Sequence, residues 1–244
     1  MMQILHLARR ASLLALLLAV RGAQAAGPTG LLNDTGQTQC DNGSNTLGAC
    51  NAASSGDAST MPRQDGRFGR DAASSVKVGG GAAGFDFSKV CFNGDVQGSG
   101  TCTGALVANT TGTATGTAST DWACSRDNVT NLVWSLQTQT ATWNAASAGS
   151  YPNAGHNSAS RCGFNTGWRL PTRRELLSIV HNGLAAAPTV DANYFPSTQA
   201  SWYWTSDTYA PYPSNAWVVD FDKGYTSADP KTYSYCVRLV RSGQ

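Results

Sequence analysis

All seven tryptophans of this 244-residue chain lie between positions 122 and 217, and that asymmetry decides where a core can form. Trp122, Trp134, Trp143, Trp168, Trp202, Trp204 and Trp217 offer the most apolar area per side chain, so residues 121–244 are expected to fold as one packed domain of ordinary length. Residues 26–120 are dominated by Gly, Ala, Ser, Thr, Asn and Asp, which bury little surface. They are expected to be irregular, pinned by disulfides and packed through Phe68, Phe85, Phe87 and Phe92. The Thr-, Gly- and Ala-rich stretch at 110–120 has the composition of a flexible linker and sets a boundary near residue 120.

The first 25 residues read as a cleavable export signal. Arg9 and Arg10 precede an apolar run at 11–20, and Ala23-Gln24-Ala25 has the small-residue pattern of a processing site. The run is too short for a membrane span, which needs roughly 20 residues, so no stable membrane insertion is expected after cleavage, and the mature chain is expected in the periplasm, at the cell surface or outside. Cleavage removes Arg9, Arg10 and Arg21 and leaves fourteen basic residues against fifteen acids. That balance gives no general attraction to nucleic acid.

In an exported chain, cysteines are more often bridges than metal ligands. Cys40 with Cys50 and Cys91 with Cys102 are spaced as local loops rich in turn-forming residues. Cys124, Cys162 and Cys236 then compete for one further bridge. The pairing expected is Cys162 with Cys236, leaving Cys124 unpaired or available to another chain; the oligomeric state stays open.

Within the Trp-rich half, Thr172 and Glu175 have the spacing of a capping box, followed by Leu176, Ile179 and Val180 at helical intervals and by Gly183 as a stop. A helix is expected over 173–182, and a weaker one over 142–148. Period-two alternation predicts strands over 216–221 and 235–241, with Val237 and Leu239 on one face and Cys236, Arg238 and Val240 on the other. Shorter strands are expected at 131–135 and 202–205, and a hairpin turn at Asp222-Lys223-Gly224. The fold class is α+β: a small antiparallel sheet carrying one or two helices.

Five motifs in order carry a resemblance: Asp127-Asn128-Val129-Thr130-Asn131-Leu132-Val133-Trp134; Gly167-Trp168-Arg169-Leu170-Pro171-Thr172-Arg173-Arg174-Glu175-Leu176; Tyr203-Trp204-Thr205-Ser206; Ala216-Trp217-Val218-Val219-Asp220-Phe221; and Val237-Arg238-Leu239-Val240-Arg241. Over about residues 121–241 the chain resembles the Lcl C-terminal domain family, long catalogued as a domain of unknown function. The features at 32–36 and 64–71 are similar to the leader region of exported members. The resemblance implies a C-type-lectin-like fold, export from bacteria and no established catalysis; its named member is the C-terminal part of a collagen-like adhesin that binds sulfated glycosaminoglycans. This chain has no Gly-X-Y repeat, so the collagen stalk and its trimer do not carry over. It also has Asn131 where members usually place glycine.

Arg173 and Arg174 fall in the first turn of the expected helix, where positive charge opposes the helix dipole by roughly 0.3–1 kcal/mol each. With Arg169, Arg238 and Arg241 they form a candidate anion-binding patch; the blander alternative is that some pair with Glu175, Asp220 or Asp222 and fasten helix to sheet. Tyr209, Tyr212, Tyr225 and Tyr233 stand among Ser, Thr, Asp, Asn and Pro in a mixture resembling a paratope, giving candidate binding loops at 207–215 and 227–234. No motif for a nucleophile, phosphate loop or catalytic carboxylate pair is present, so no enzymatic activity is expected. No cofactor or metal is expected; Asp207, Asp220, Asp222 and Asp229 are the residues that would serve a calcium site. The expected function is a binding or adhesion module for an extracellular glycan or protein, with a structural appendage subunit as the alternative.

Overall fold

A computed structural model describes residues 33–41, 47–50, 64–70, 75–114, 117–148 and 153–243. The export signal at 1–25, Leu32, the Phe68 side chain and part of the stretch at 110–120 lie outside the described residues. Among the described residues, no helix is long and apolar enough to cross a membrane.

The protein is α+β, with two five-stranded sheets where the sequence pattern implies one small sheet. In chain order the strands are β1 (Gln39–Asp41), β2 (Leu47–Ala49), β3 (Phe87–Cys91), β4 (Val107–Ala108), β5 (Asp121–Asp127), β6 (Leu132–Ser135), β7 (Gln139–Thr142), β8 (Trp202–Thr208), β9 (Asn215–Asp220), β10 (Thr226–Pro230), β11 (Ser234–Val237) and β12 (Val240–Ser242). The helices are α1 (Asp65–Phe68), α2 (Trp143–Ser147) and α3 (Arg173–Leu177). One sheet has the order β10-β9-β8-β11-β7; the other runs β12-β6-β5-β3, with β4 alongside β5, and β1 and β2 form a separate ribbon. Pairing is antiparallel except between β8 and β11 and between β4 and β5.

The alternation read over 235–241 holds, but the strand is divided. Its first part, β11, belongs to one sheet and its last, β12, to the other, so Arg238 and Leu239 cross between them. Cys236 and Val240 enter a core with Phe87, Trp134, Tyr203 and Phe221, while Val237 and Leu239 enter a second core with Trp168, Trp204 and Val218. One strand thus stitches two sheets and two cores.

α3 begins where the sequence places it. Thr172 Oγ1 accepts from Glu175 N at 3.2 Å, and Glu175 accepts from Thr172 N at 2.7 Å. It ends at Leu177, five residues short of the expectation. Ile179 and Val180 continue as tight turns, and His181 N then bonds to Thr189 O at 2.9 Å, a long-range partner that no local periodicity reports.

The composition break near residue 120 is not a break in the sheet. β3 pairs with β5 from Phe87↔Asp127 to Cys91↔Trp122, and Phe85, Phe87 and Phe92 are buried. The loop after β4 is held as well, since Asn109 and Thr111 offer their carbonyls to the Arg161 guanidinium. Farther upstream, Asn182 N bonds to Thr35 O at 2.7 Å. Gly36 has φ +76, and a Cβ there would sit 2.3 Å from His181 Nδ1, so only glycine lets this segment lie against the histidine. Asn131 likewise has φ +58. Asparagine is among the few residues that enter this region readily, which is how the chain keeps the turn without glycine.

The disulfides join Cys40 to Cys50, Cys91 to Cys102 and Cys124 to Cys162. The expected Cys162–Cys236 bridge is therefore corrected: Cys162 and Cys124 share the second core, whereas Cys236 lies in the first. Cys236 is the free thiol, 3% exposed, and burial pushes its pKa up.

Candidate functional site

Arg238 does not belong to any surface patch. It is 1% exposed, and its guanidinium donates to Ser135 O at 3.0 Å, Thr138 Oγ1 at 3.1 Å and Thr198 Oγ1 at 2.8 Å. A buried cation is tolerated when its donors are satisfied, and Arg238 is spent on this interior bonding. Arg161, also fully buried, donates to the carbonyls of Thr111, Asn109 and Ala123. Burial, together with the nearby Arg238 charge, lowers its pKa to about 10 even though Asp121 pulls the other way. Ser135 Oγ accepts from Gln137 N at 3.1 Å and shares a hydrogen bond with His156 Nε2 at 2.7 Å. Burial, reinforced by Arg161, pushes His156 down to about 3.

Arg169 fastens elements, as the blander reading holds. Its guanidinium makes a two-pronged pair with Glu175 at 2.7 and 2.8 Å, and its backbone bridges to Val240. Burial alone would raise the Glu175 pKa, but the bonds from Arg169 and Thr172 N outweigh it and leave the carboxyl below its ordinary value. Arg241 lies 3.5 Å from the Phe164 ring centre and donates to Ser242 O. Arg174 is exposed.

Arg173 is different. Its guanidinium lies 4.0 Å from the centre of the Trp217 ring, and among the described residues it has no carboxylate partner. The charge in the first turn is offset through the backbone instead: Arg173 N donates to Asp207 Oδ2 at 2.7 Å. Asp207 is delivered by a register shift in β8 between Trp204 and Thr208, where the Thr205 hydroxyl bonds Trp217 O at 2.9 Å and accepts from Asp207 N at 3.2 Å. Such irregularities re-aim side chains. Around Trp217, Tyr209 packs edge-on at 5.1 Å and Tyr212 follows at 6.0 Å, 66% exposed. The turn that carries them is closed by Tyr212 N→Tyr209 O and Asn215 N→Tyr212 O.

Tyr225 and Tyr233 form a separate group. Tyr225 stands at 88° to Trp202 and Tyr233 at 89° to Tyr235, each about half exposed. Trp202 and Tyr235 are neighbours at 6.5 Å, and the Tyr235 hydroxyl reaches Asp229 Oδ2 at 3.3 Å. The candidates read from sequence are therefore divided: Arg173 with Tyr209 and Tyr212, Tyr225 with Tyr233, Arg238 inside, and Arg174 exposed on α3. Trp217 is the member of the first group that the candidate loops and arginines do not include. Asp207 opens the candidate loop at 207–215, but its bond to the start of α3 was not foreseen, because the register shift that joins it and Trp217 to Arg173 has no sequence signature.

The four acids considered for calcium are dispersed. Asp207 and Asp229 are engaged as described, Asp220 accepts from Asp222 N at 2.8 Å, and Asp222 lies 3.9 Å from Lys223. Among the described residues no group of three or more His, Cys, Asp or Glu is placed to hold a metal ion.

Residues 123–241 match the family model of the Lcl C-terminal domain. A search of curated proteins finds no match to the chain. The matched stretch carries the capping box, the Arg169–Glu175 pair, the Arg173–Trp217 stack and the crossing strand, although β3 and residues 33–36 complete the same structure from outside it. Over residues 123–241 the chain belongs to the Lcl C-terminal domain family.

Proposed function

We propose that this is an exported, non-enzymatic binding module of C-type-lectin-like fold that recognises an acidic group on an extracellular glycan. The observation that carries this reading is the guanidinium of Arg173, held on Trp217 with no carboxylate partner among the described residues, while Tyr209 packs edge-on to the same indole and Tyr212 against Tyr209. A stacked guanidinium keeps its in-plane donors free, and such donors match the paired oxygens of carboxylate or sulfate. The neighbouring tyrosines offer rigid, amphipathic area at low entropic cost.

Three disulfides support export. A structural subunit linked through its odd cysteine is the weaker reading, because Cys236 is buried. A glycan array probed with the mature protein and with Arg173→Ala tests the function. Acidic glycans should be retained by the wild type and lost by the variant; equal binding by both would refute the assignment.

A further inference from the structure

The sheet β10-β9-β8-β11-β7 carries a second aromatic surface on the side opposite Trp217. Successive residues of a strand point to opposite faces, and Ala216 and Val218, which flank Trp217 on β9, enter the second core. Trp202 and Tyr235 pack against that same core and so stand on its side of the sheet. Asp229 joins them: it is paired with Ala216 across β10 and β9, and its Oδ2 accepts from the Tyr235 hydroxyl at 3.3 Å. Four rings run on from one another here, with Tyr225 5.2 Å from Trp202, Trp202 6.5 Å from Tyr235, and Tyr235 6.0 Å from Tyr233. Tyr225 and Tyr233 are exposed, and Trp202 and Tyr235 are partly so, which leaves the surface open to a ligand.

Two observations say what charge that ligand carries. Trp143, Trp202 and Trp217 are the partly exposed tryptophans, and the chain supplies two of them with a cation of its own. Lys231 Nζ lies 4.0 Å from the ring centre of Trp143, and the Arg173 guanidinium lies 4.0 Å from that of Trp217. Among the described residues no Lys or Arg lies over Trp202. Asp229, in turn, has no cationic partner among the described residues. The lysines nearest in sequence are engaged elsewhere: Lys231 donates to Thr208 Oγ1 at 2.8 Å, and Lys223 lies 3.9 Å from Asp222.

Ring faces are electron-rich, and a cation over them is attracted by the quadrupole. The Asp229 carboxylate adds to that field. A quaternary ammonium group suits such a surface best, because it has no N–H to satisfy and asks only for aromatic faces and a nearby opposite charge. We infer that Trp202, Tyr225, Tyr233 and Tyr235, with Asp229 as counter-charge, bind the quaternary ammonium group of a small molecule. The site lies on the other face of the sheet from the Arg173 stack and takes the opposite charge.

The test is calorimetric titration of the mature, disulfide-intact protein with choline, its neutral isostere 3,3-dimethylbutan-1-ol and the primary amine ethanolamine, alongside indole N–H resonances in ¹⁵N-correlated spectra. Choline should bind in the millimolar range and move the Trp202 resonance, which is identified by its absence in Trp202→Leu. The isostere and ethanolamine should each bind at least about fivefold more weakly. Trp202→Leu keeps apolar bulk and removes the ring, and Asp229→Asn keeps an acceptor for the Tyr235 hydroxyl and removes the charge. Each should weaken choline binding roughly fivefold. Unchanged near-ultraviolet circular dichroism outside the lost indole certifies that the variants are folded. No acidic glycan enters the titration, so its result is independent of the Arg173 reading. No binding of choline, equal binding of the isostere or of ethanolamine, or undiminished binding by either folded variant would overturn the inference.

Discussion

The interior around Ser135 and the surface around Trp217 use the same side chain to opposite ends. At Ser135, Arg238 and Arg161 spend their donors on carbonyls and hydroxyls of the protein itself, and no exposed guanidinium remains. At Trp217, the Arg173 guanidinium lies over the indole ring and has no carboxylate partner among the described residues. An arginine is available for recognition when its position is fixed by something other than its hydrogen bonds.

Truncating the interior arginines should show the largest effect. Arg238→Ala leaves Ser135 O, Thr138 and Thr198 without their donor and opens a cavity between the sheets, so denaturant unfolding should register a loss of about 3 kcal/mol or more. Arg161→Ala should behave similarly, through the carbonyls of Thr111, Asn109 and Ala123. If either variant is as stable as the wild type, the contrast between interior and surface arginines fails.

The second disruption is of the bridge. Converting Cys124 and Cys162 together to alanine removes a crosslink spanning 38 residues in sequence and should cost about 2–4 kcal/mol. Cys236→Ala should cost less. Thiol titration of the native protein should find Cys236 unreactive until the chain unfolds. Rapid labelling of a native thiol would contradict its burial.

A third effect comes from His156. Its folded-state pKa of about 3 lies below the unfolded value near 6.5, so between these values the unfolded chain binds the extra proton. Stability from this residue is complete above pH 6.5 and is lost as pH falls towards 3, by roughly 2 kcal/mol at pH 5. Comparing wild type with His156→Gln by thermal unfolding at pH 7 and pH 5 isolates the contribution: the variant should be the less sensitive of the two to acid.

Sequence reasoning reached the parts of this molecule whose causes are local. The capping box at Thr172 and Glu175 fixed the start of α3, and alternation separated Val237 and Leu239 from Cys236 and Val240, which enter different cores. The short spacings Cys40 to Cys50 and Cys91 to Cys102 found two bridges. What escaped depends on contacts between distant segments: the end of α3, set by His181 and Thr189; the division of the last strand between two sheets; and the partner of Cys162, set by which core each cysteine enters. Arg238 was half legible. It was placed in the anion-binding patch, although its position between Val237 and Leu239, on the same face as Cys236 and Val240, lies on a strand with apolar residues on both faces, a pattern that favours burial.

The smallest structural effect and the largest functional one should coincide at Arg173. Arg173→Ala removes a stacking contact worth about 0.5–1 kcal/mol and should unfold within that margin of the wild type. The decisive measurement is calorimetric titration of an acidic oligosaccharide into wild type and Arg173→Ala at matched salt. The wild type should bind, and Arg173→Ala, of nearly unchanged stability, should not. Equal affinities in the two proteins would contradict this.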